Sequence, residues 1–236
     1  MTHRRTRGAV RAVAAISSVA AIAGLTGCSQ LIDTMNGAET IQAVLPTPQA
    51  TAADATDESG FESQFTRDGS VSLSSDVADG LEVRLDVWAY DPKRTMEWHP
   101  DGEKSFGFAV NVYDHRVDEK AVLAQKRRVY LSQIAITSQT AQTSNQTSAP
   151  FQFTADPRTL VPTDTLRSDR GLLLNSFQGG LLVPETAIHQ LPADTYGITL
   201  QFALTIAVEG AANDDASFQQ QTVYQMLPIR IHPVEN

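Results

Sequence analysis

Met96 and His99, with Asp101 and Glu103 close behind, and His115 among Asp114, Asp118 and Glu119 are the two places in this 236-residue chain where potential metal ligands gather. Methionine and histidine suit copper and clustered carboxylates suit hard cations, so the first stretch supports a metal or small-ligand carrier using Met96 and His99. Neither spacing matches a coordination motif, and the five histidines are scattered singly. Ligand geometry is demanding enough that solvated loop charge is the favoured account, and no metal ligand or cofactor is assigned. Trp88, Tyr90, Trp98 and Tyr113 are the other chemistry-bearing group, because aromatic faces exposed together suit a sugar ring or a peptide. Hydrolytic motifs are missing: there is no Gly-x-Ser-x-Gly, His-Glu-x-x-His or Ser-x-x-Lys. A triad drawn from distant residues is invisible at this level, so a cell-wall or glycan enzyme stays as the lesser alternative to a noncatalytic protein.

The elements that must position these residues repeat every two positions. From Tyr196 to Val208, Tyr196, Ile198, Leu200, Phe202, Leu204, Ile206 and Val208 share one phase, and Gly197, Thr199, Gln201, Ala203, Thr205 and Ala207 share the other. That alternation predicts a strand with one buried face. Leu81 to Val87 and Phe106 to Val112 alternate in the same way between turn residues. Further strands are expected at Ser70 to Ser74, Arg127 to Thr137, Pro150 to Thr154, Leu172 to Phe177 and Phe218 to His232. Val129 and Leu131 lie on one parity and Ile134 and Ile136 on the other, which predicts a β-bulge near Ser132 and Gln133. In the last strand Tyr224 and Met226 occupy one phase and Leu227, Ile229 and Ile231 the other, around Pro228, which marks an edge or a bulge. About eight strands with no convincing helix predict an all-β, antiparallel β-sandwich. Within it Trp88, Tyr90 and Tyr113 take the phase facing water, and Trp98 lies in the loop from Met96 to Gly102. The four form an exposed patch, or else neighbouring loops fold over them and they cap the core. Thr137 to Ser148 lacks an apolar anchor and reads as a mobile loop, either a partner-binding hairpin tip or an inconsequential insertion. Asn145-Gln146-Thr147 within it fits a glycosylation sequon.

The N-terminus is of another kind. Arg4, Arg5, Arg7 and Arg11 precede an apolar run from Ala12 to Ala23 that ends in small residues, with no acidic residue among them, the three-part layout of a secretory signal peptide. Ser17 and Ser18 interrupt the run, which is shorter than the roughly 20 residues a membrane span needs. It closes on Leu25-Thr26-Gly27-Cys28, with the only cysteine of the chain. This tetrapeptide resembles the lipobox of bacterial lipoproteins, and the resemblance implies a diacylglyceryl group on the Cys28 sulfur and cleavage just before it. Acyl chains contribute roughly 0.8 kcal/mol per buried methylene, so two or three of them moor a protein to the membrane. Residues 1–27 are then the signal peptide. Residues 28–60, rich in Ala, Thr, Asp, Gln and Pro, read as a flexible tether with a reach of roughly 30 Å. Residues 61–236 are left as the sandwich domain.

That domain resembles the immunoglobulin-like sandwiches of bacterial surface lipoproteins. The likeness is carried by the strand from Phe106 to Tyr113, a turn from Gly180 to Glu185, and the long strand from Tyr196; the paired cysteines of antibody domains are missing. Removing residues 1–27 takes four of 18 basic and none of 27 acidic residues, leaving −13. Such an acidic body disfavours nucleic acid and anionic lipid surfaces as partners. The expectation is a lipid-anchored extracytoplasmic module at the cell membrane, binding an envelope protein, a peptide or a glycan.

Overall fold

The computed structural model describes residues 61 and 63–234. The leader, Cys28 and the tether lie outside the described residues. In chain order the elements are α1 (Gln64–Asp68), β1 (Ser70–Ala78), β2 (Leu81–Ala89), β3 (Lys104–Asp114), β4 (Val129–Gln142), β5 (Gln152–Ala155), β6 (Arg167–Ser168), β7 (Gly171–Leu173), β8 (Leu181–Ile188), β9 (Thr195–Glu209) and β10 (Phe218–Arg230). The first sheet has the order β1-β2-β3-β8; the second runs β10-β9-β4-β7-β6, with β5 paired to β4 beyond the reach of β7. Every pairing is antiparallel. The chain is an all-β sandwich, and the immunoglobulin-like expectation fits at the level of two packed antiparallel sheets.

Alternation decides which side chains meet between the sheets. Leu81, Val83, Leu85 and Val87 of β2, Phe106, Phe108 and Val110 of β3, and Ile198 through Ile206 on the even phase of β9 are all buried in one core. Phe108 meets Phe202 edge-on across the layers with ring centroids 5.8 Å apart, and Phe106 meets Phe151 at 5.8 Å. The core ends under α1. Ser63 caps that helix by accepting from the Thr66 N–H, Gly69 ends it with φ +69°, and Phe65 packs on Trp98 at 5.6 Å.

The bulge stands where the parity of β4 changes, since its register with β9 shifts between Leu131 and Gln133. Pro228 lies on the outermost strand of the second sheet, where one side of the backbone needs no partner. The register of β10 with β9 runs unbroken from Phe218 to Arg230, so no bulge accompanies it. Val223, Gln225, Leu227 and Ile229 face inward throughout, and Tyr224 and Met226 face outward. Gln225 is tolerated inside because its amide donates to the Leu73 carbonyl at 3.0 Å and to Ser75 Oγ at 3.1 Å, stitching β10 to the unpaired edge of β1.

Three expectations are corrected. Gly180 to Glu185 is not a turn: Leu181–Ile188 is the edge strand β8 beside β3, and the register skips at Gly107, opposite Pro184 and Glu185. A Cβ on Gly107 would stand 2.4 Å from the Pro184 carbonyl oxygen and 2.7 Å from the Trp88 ring, so this close approach needs glycine. Leu172 to Phe177 is a strand only to Leu173; beyond it the chain turns, with Phe177 92% exposed at the tip. Thr137 to Gln142 is not loop but the last six of the 14 residues of β4, paired with β9 as far as Gln142↔Thr195. Its inward positions, Ser138, Thr140 and Gln142, are buried polar residues. They are satisfied by the returning chain: Ser138 Oγ donates to the Phe151 carbonyl and accepts from the Phe151 N–H, both at 2.9 Å, and the Thr140 N–H donates to Ser148 at 2.9 Å. Hydrogen bonds replace apolar contacts here, and apolar periodicity is blind to them.

Candidate functional site

The stretch around Met96 and His99 is held by hydrogen bonds that occupy its donors. His99 Nδ1–H donates to the carbonyl of His232 at 3.1 Å, and Met96 lies 62% exposed. Lys104, fully buried, sends its ammonium to the carbonyls of His99 (2.8 Å), Pro100 (3.5 Å) and Gly102, so a lysine head sits where a cation would otherwise be sought. Burial pushes this amine down to about 8, against the pull of Asp101 and Glu103. Among the described residues no three His, Cys, Asp or Glu side chains converge.

The four aromatics do not share one surface. Trp98 is buried at 6% exposure against Phe65. Trp88 lies half-buried on the outer face of the first sheet above Gly107, and Tyr90 projects beside it at 68% exposure. Tyr113 belongs to the other end of β3, six residues from Gly107 or about 20 Å at strand rise. There its ring packs with the Arg84 guanidinium, 4.5 Å from the centroid, and stacks with the ring of His115 at 6.3 Å. Trp98 is thus part of the core, packed against α1, while Tyr90 stays exposed.

At one end of this first outer face charge is internally paired. Glu82 accepts from Ser74 Oγ at 2.6 Å, His115 Nε2 at 2.8 Å and Arg84 Nε at 3.0 Å, and these bonds, led by Ser74, hold its carboxyl below the ordinary range. Serine and histidine both lean on the carboxylate, so His115 is not placed to take a proton from Ser74, as a nucleophile and base would require. Asp86 accepts from Ser72 at 2.5 Å.

Two adjacent arginines before β4 point to opposite layers, as neighbours on an extended chain do. Arg127 bonds Asp114 through Nε (3.1 Å) and Nη2 (2.8 Å), with Nη2 also reaching the Asp79 carbonyl at 2.8 Å; both ion-pair partners are buried. Burial pushes the Asp114 carboxyl up, but hydrogen bonds from the Arg127 side chain and backbone outweigh it and hold the group at about 2. Arg128 clamps the buried Glu209 and reaches Asp215 at 2.7 Å. These groups tie strand ends together.

The outer face of the second sheet differs. Gln133, Ala135, Thr137 and Gln139 of β4 stand beside Thr205, Ala203, Gln201 and Thr199 of β9, and those beside Thr222, Tyr224, Met226 and Pro228 of β10. Thr154 and Gln152 of β5 extend two of the rows. These four rows contain no Asp, Glu, Lys, Arg or His in a chain with 45 charged side chains, 18 basic and 27 acidic. At one end of the face the hairpin tip from Asn145 to Ala149 borders two adjoining depressions of about 320 and 460 Å³, both open to solvent. Gln139, Thr147 and Thr199 line both; Tyr196 and Asn145 line the first, and Gln201 and Met226 the second. Their sizes fall in the range of small-ligand sites, about 300–1,000 Å³. The side chains of Thr137, Gln139, Thr147, Thr199 and Gln201 make no hydrogen bond to any described residue. The sequence carries two traces of this surface: the outward phase of the strand from Tyr196, which reads Thr, Gln, Ala, Thr, Ala, and the stretch from Thr137 to Ser148, with its alternative as a partner-binding hairpin tip. Aromatic, metal-ligand and catalytic patterns all pass it by.

Compared with protein-family models and with curated proteins, the chain matches none.

Proposed function

We propose that the protein is a membrane-anchored extracytoplasmic lipoprotein whose β-sandwich is a noncatalytic binding module, with the outer face of the β10-β9-β4 layer as its recognition surface. The anchoring half rests on the basic, apolar, small-residue leader and on Leu25-Thr26-Gly27-Cys28. The binding half rests on one observation, a broad uncharged face of uncommitted amides and hydroxyls on an otherwise charged and acidic molecule. Buried charge elsewhere is taken up in ion pairs that hold strands together at Arg127 and Arg128. A surface kept free of charge across four rows has lost the usual means of discouraging association, which suits a face meant to be covered.

Two measurements test the halves separately. In a bacterium that acylates lipobox cysteines, the wild-type chain should incorporate labelled palmitate, and Cys28→Ala should accumulate as an uncleaved precursor or leave the membrane fraction. An unlabelled wild-type protein with its leader intact overturns the anchor. A photo-crosslinking side chain at Gln201 should capture envelope material in intact cells, whereas the same probe at Asp86, on the opposite outer face, should not; equal capture overturns the assigned face.

A further inference from the structure

We infer that the trough between the Asn145–Ala149 tip and the outer face of β4 and β9 binds a neutral polysaccharide chain; this rests on the reading of that face as the recognition surface. Gln139, Gln201, Thr199 and Thr147 present amides and hydroxyls. Each of these groups both donates and accepts, so the lining matches a ligand whose own hydrogen-bonding groups do both. Sugar hydroxyls are of that kind, and in an open trough bridging waters complete the contacts that direct ones miss.

Other ligand classes fit poorly. A nucleic acid or acidic polymer needs cations along its track, and no lysine or arginine lines either depression. A cationic peptide would be desolvated with no carboxylate facing it. A purely apolar segment would strip water from the amides and leave them unpaired. The sugar ring also has an apolar face, and the trough has matching surfaces. Met226 is 47% exposed beside Gln201, and Tyr196 lines the far end, its ring fixed edge-on against Phe61 at 6.0 Å. The lining on β4 runs from Thr137 to Gln142, about 17 Å at strand rise, which is length for a chain of sugars rather than a single ring.

The test uses the purified full-length protein in detergent and a set of neutral hexasaccharides, cellohexaose, maltohexaose and mannohexaose, with hexagalacturonate as the acidic counterpart, read by titration calorimetry and ligand-observed NMR. At least one neutral oligomer should bind, with an affinity unchanged between 50 and 500 mM salt. Gln201→Ala and Thr199→Val should each weaken it at least fivefold, and Asp86→Ala on the opposite face should not. No binding by any neutral oligomer at 10 mM, or binding that the two trough substitutions leave intact, overturns the inference. Preferred, salt-sensitive binding of hexagalacturonate also overturns it. In each of these cases the Gln201 crosslink decides separately whether the face recognises something else.

Discussion

Replacing Arg127 with methionine should lower folding stability by about 3–5 kcal/mol at pH 7, the range for removing one partner of a buried ion pair. The guanidinium is 2% exposed and Asp114 is 1% exposed, so water cannot replace what is lost. Asp114 titrates at about 2 against an ordinary 3.8. That difference corresponds to roughly 2.4 kcal/mol favouring the folded carboxylate after its burial has been overcome. The carboxyl pKa is depressed, so this stability is fully present above about pH 4 and is lost as pH falls through 2. In Arg127→Met the side-chain bonds and their charge are lost while burial and the backbone N–H bonds from residues 127 and 116 remain, so the Asp114 pKa rises and the acid-side loss of stability weakens. Urea unfolding followed by the fluorescence of buried Trp98 and half-buried Trp88 reads both effects. The deficit of the variant should shrink by about 1.5 kcal/mol or more between pH 7 and pH 2.5. The double variant Asp114→Asn with Arg127→Met should be more stable than Arg127→Met alone, because it removes the stranded carboxylate. A deficit under about 1 kcal/mol at pH 7, or one of the same size at both pH values, refutes the reasoning.

The two faces of β9 give a paired prediction: Phe202→Asp, at a fully buried ring in contact with Phe108, should abolish cooperative unfolding, while Gln201→Glu should stay within about 0.5 kcal/mol of wild type. Circular dichroism melts separate them, and equal tolerance would contradict the assigned faces. Lys104 supplies a second pH signature. Its folded pKa of about 8 lies below the ordinary 10.5, so the wild type should gain up to about 3 kcal/mol over Lys104→Met as pH rises from 8 to 10.5. Denaturation midpoints at pH 7.5 and 10 measure it; a difference that does not move with pH would mean that the ammonium is not desolvated by the loop.

The long strands were legible because their cores are written in apolar alternation. Ile198 to Val208, Leu81 to Val87 and Phe106 to Val112 bury the phase they advertise, and the parity change at Leu131 and Ile134 places the bulge. Elements built on other interactions were not legible. β8 hides behind Pro184, which looks like a turn until Gly107 is seen opposite it. The end of β4 hides behind Ser138, Thr140 and Gln142, whose partners at Ser148 and Phe151 exist only once the chain has turned back. The aromatics divided for a similar reason: Trp98 is buried by Phe65, 33 positions away in sequence and adjacent only through the cap that α1 places on the core.

By itself the sequence determined the sandwich class, the strand phases and the expectation of an acylated Cys28, since each depends on neighbours in the chain and on composition. Tertiary structure alone decided that Thr137, Gln139, Thr199, Gln201 and Met226 form one uncharged surface, because register across β4, β9 and β10 joins residues up to 89 positions apart. A side chain's outward phase can be read from its own strand, whereas the company it keeps on that face is set by hydrogen-bonded pairing between strands.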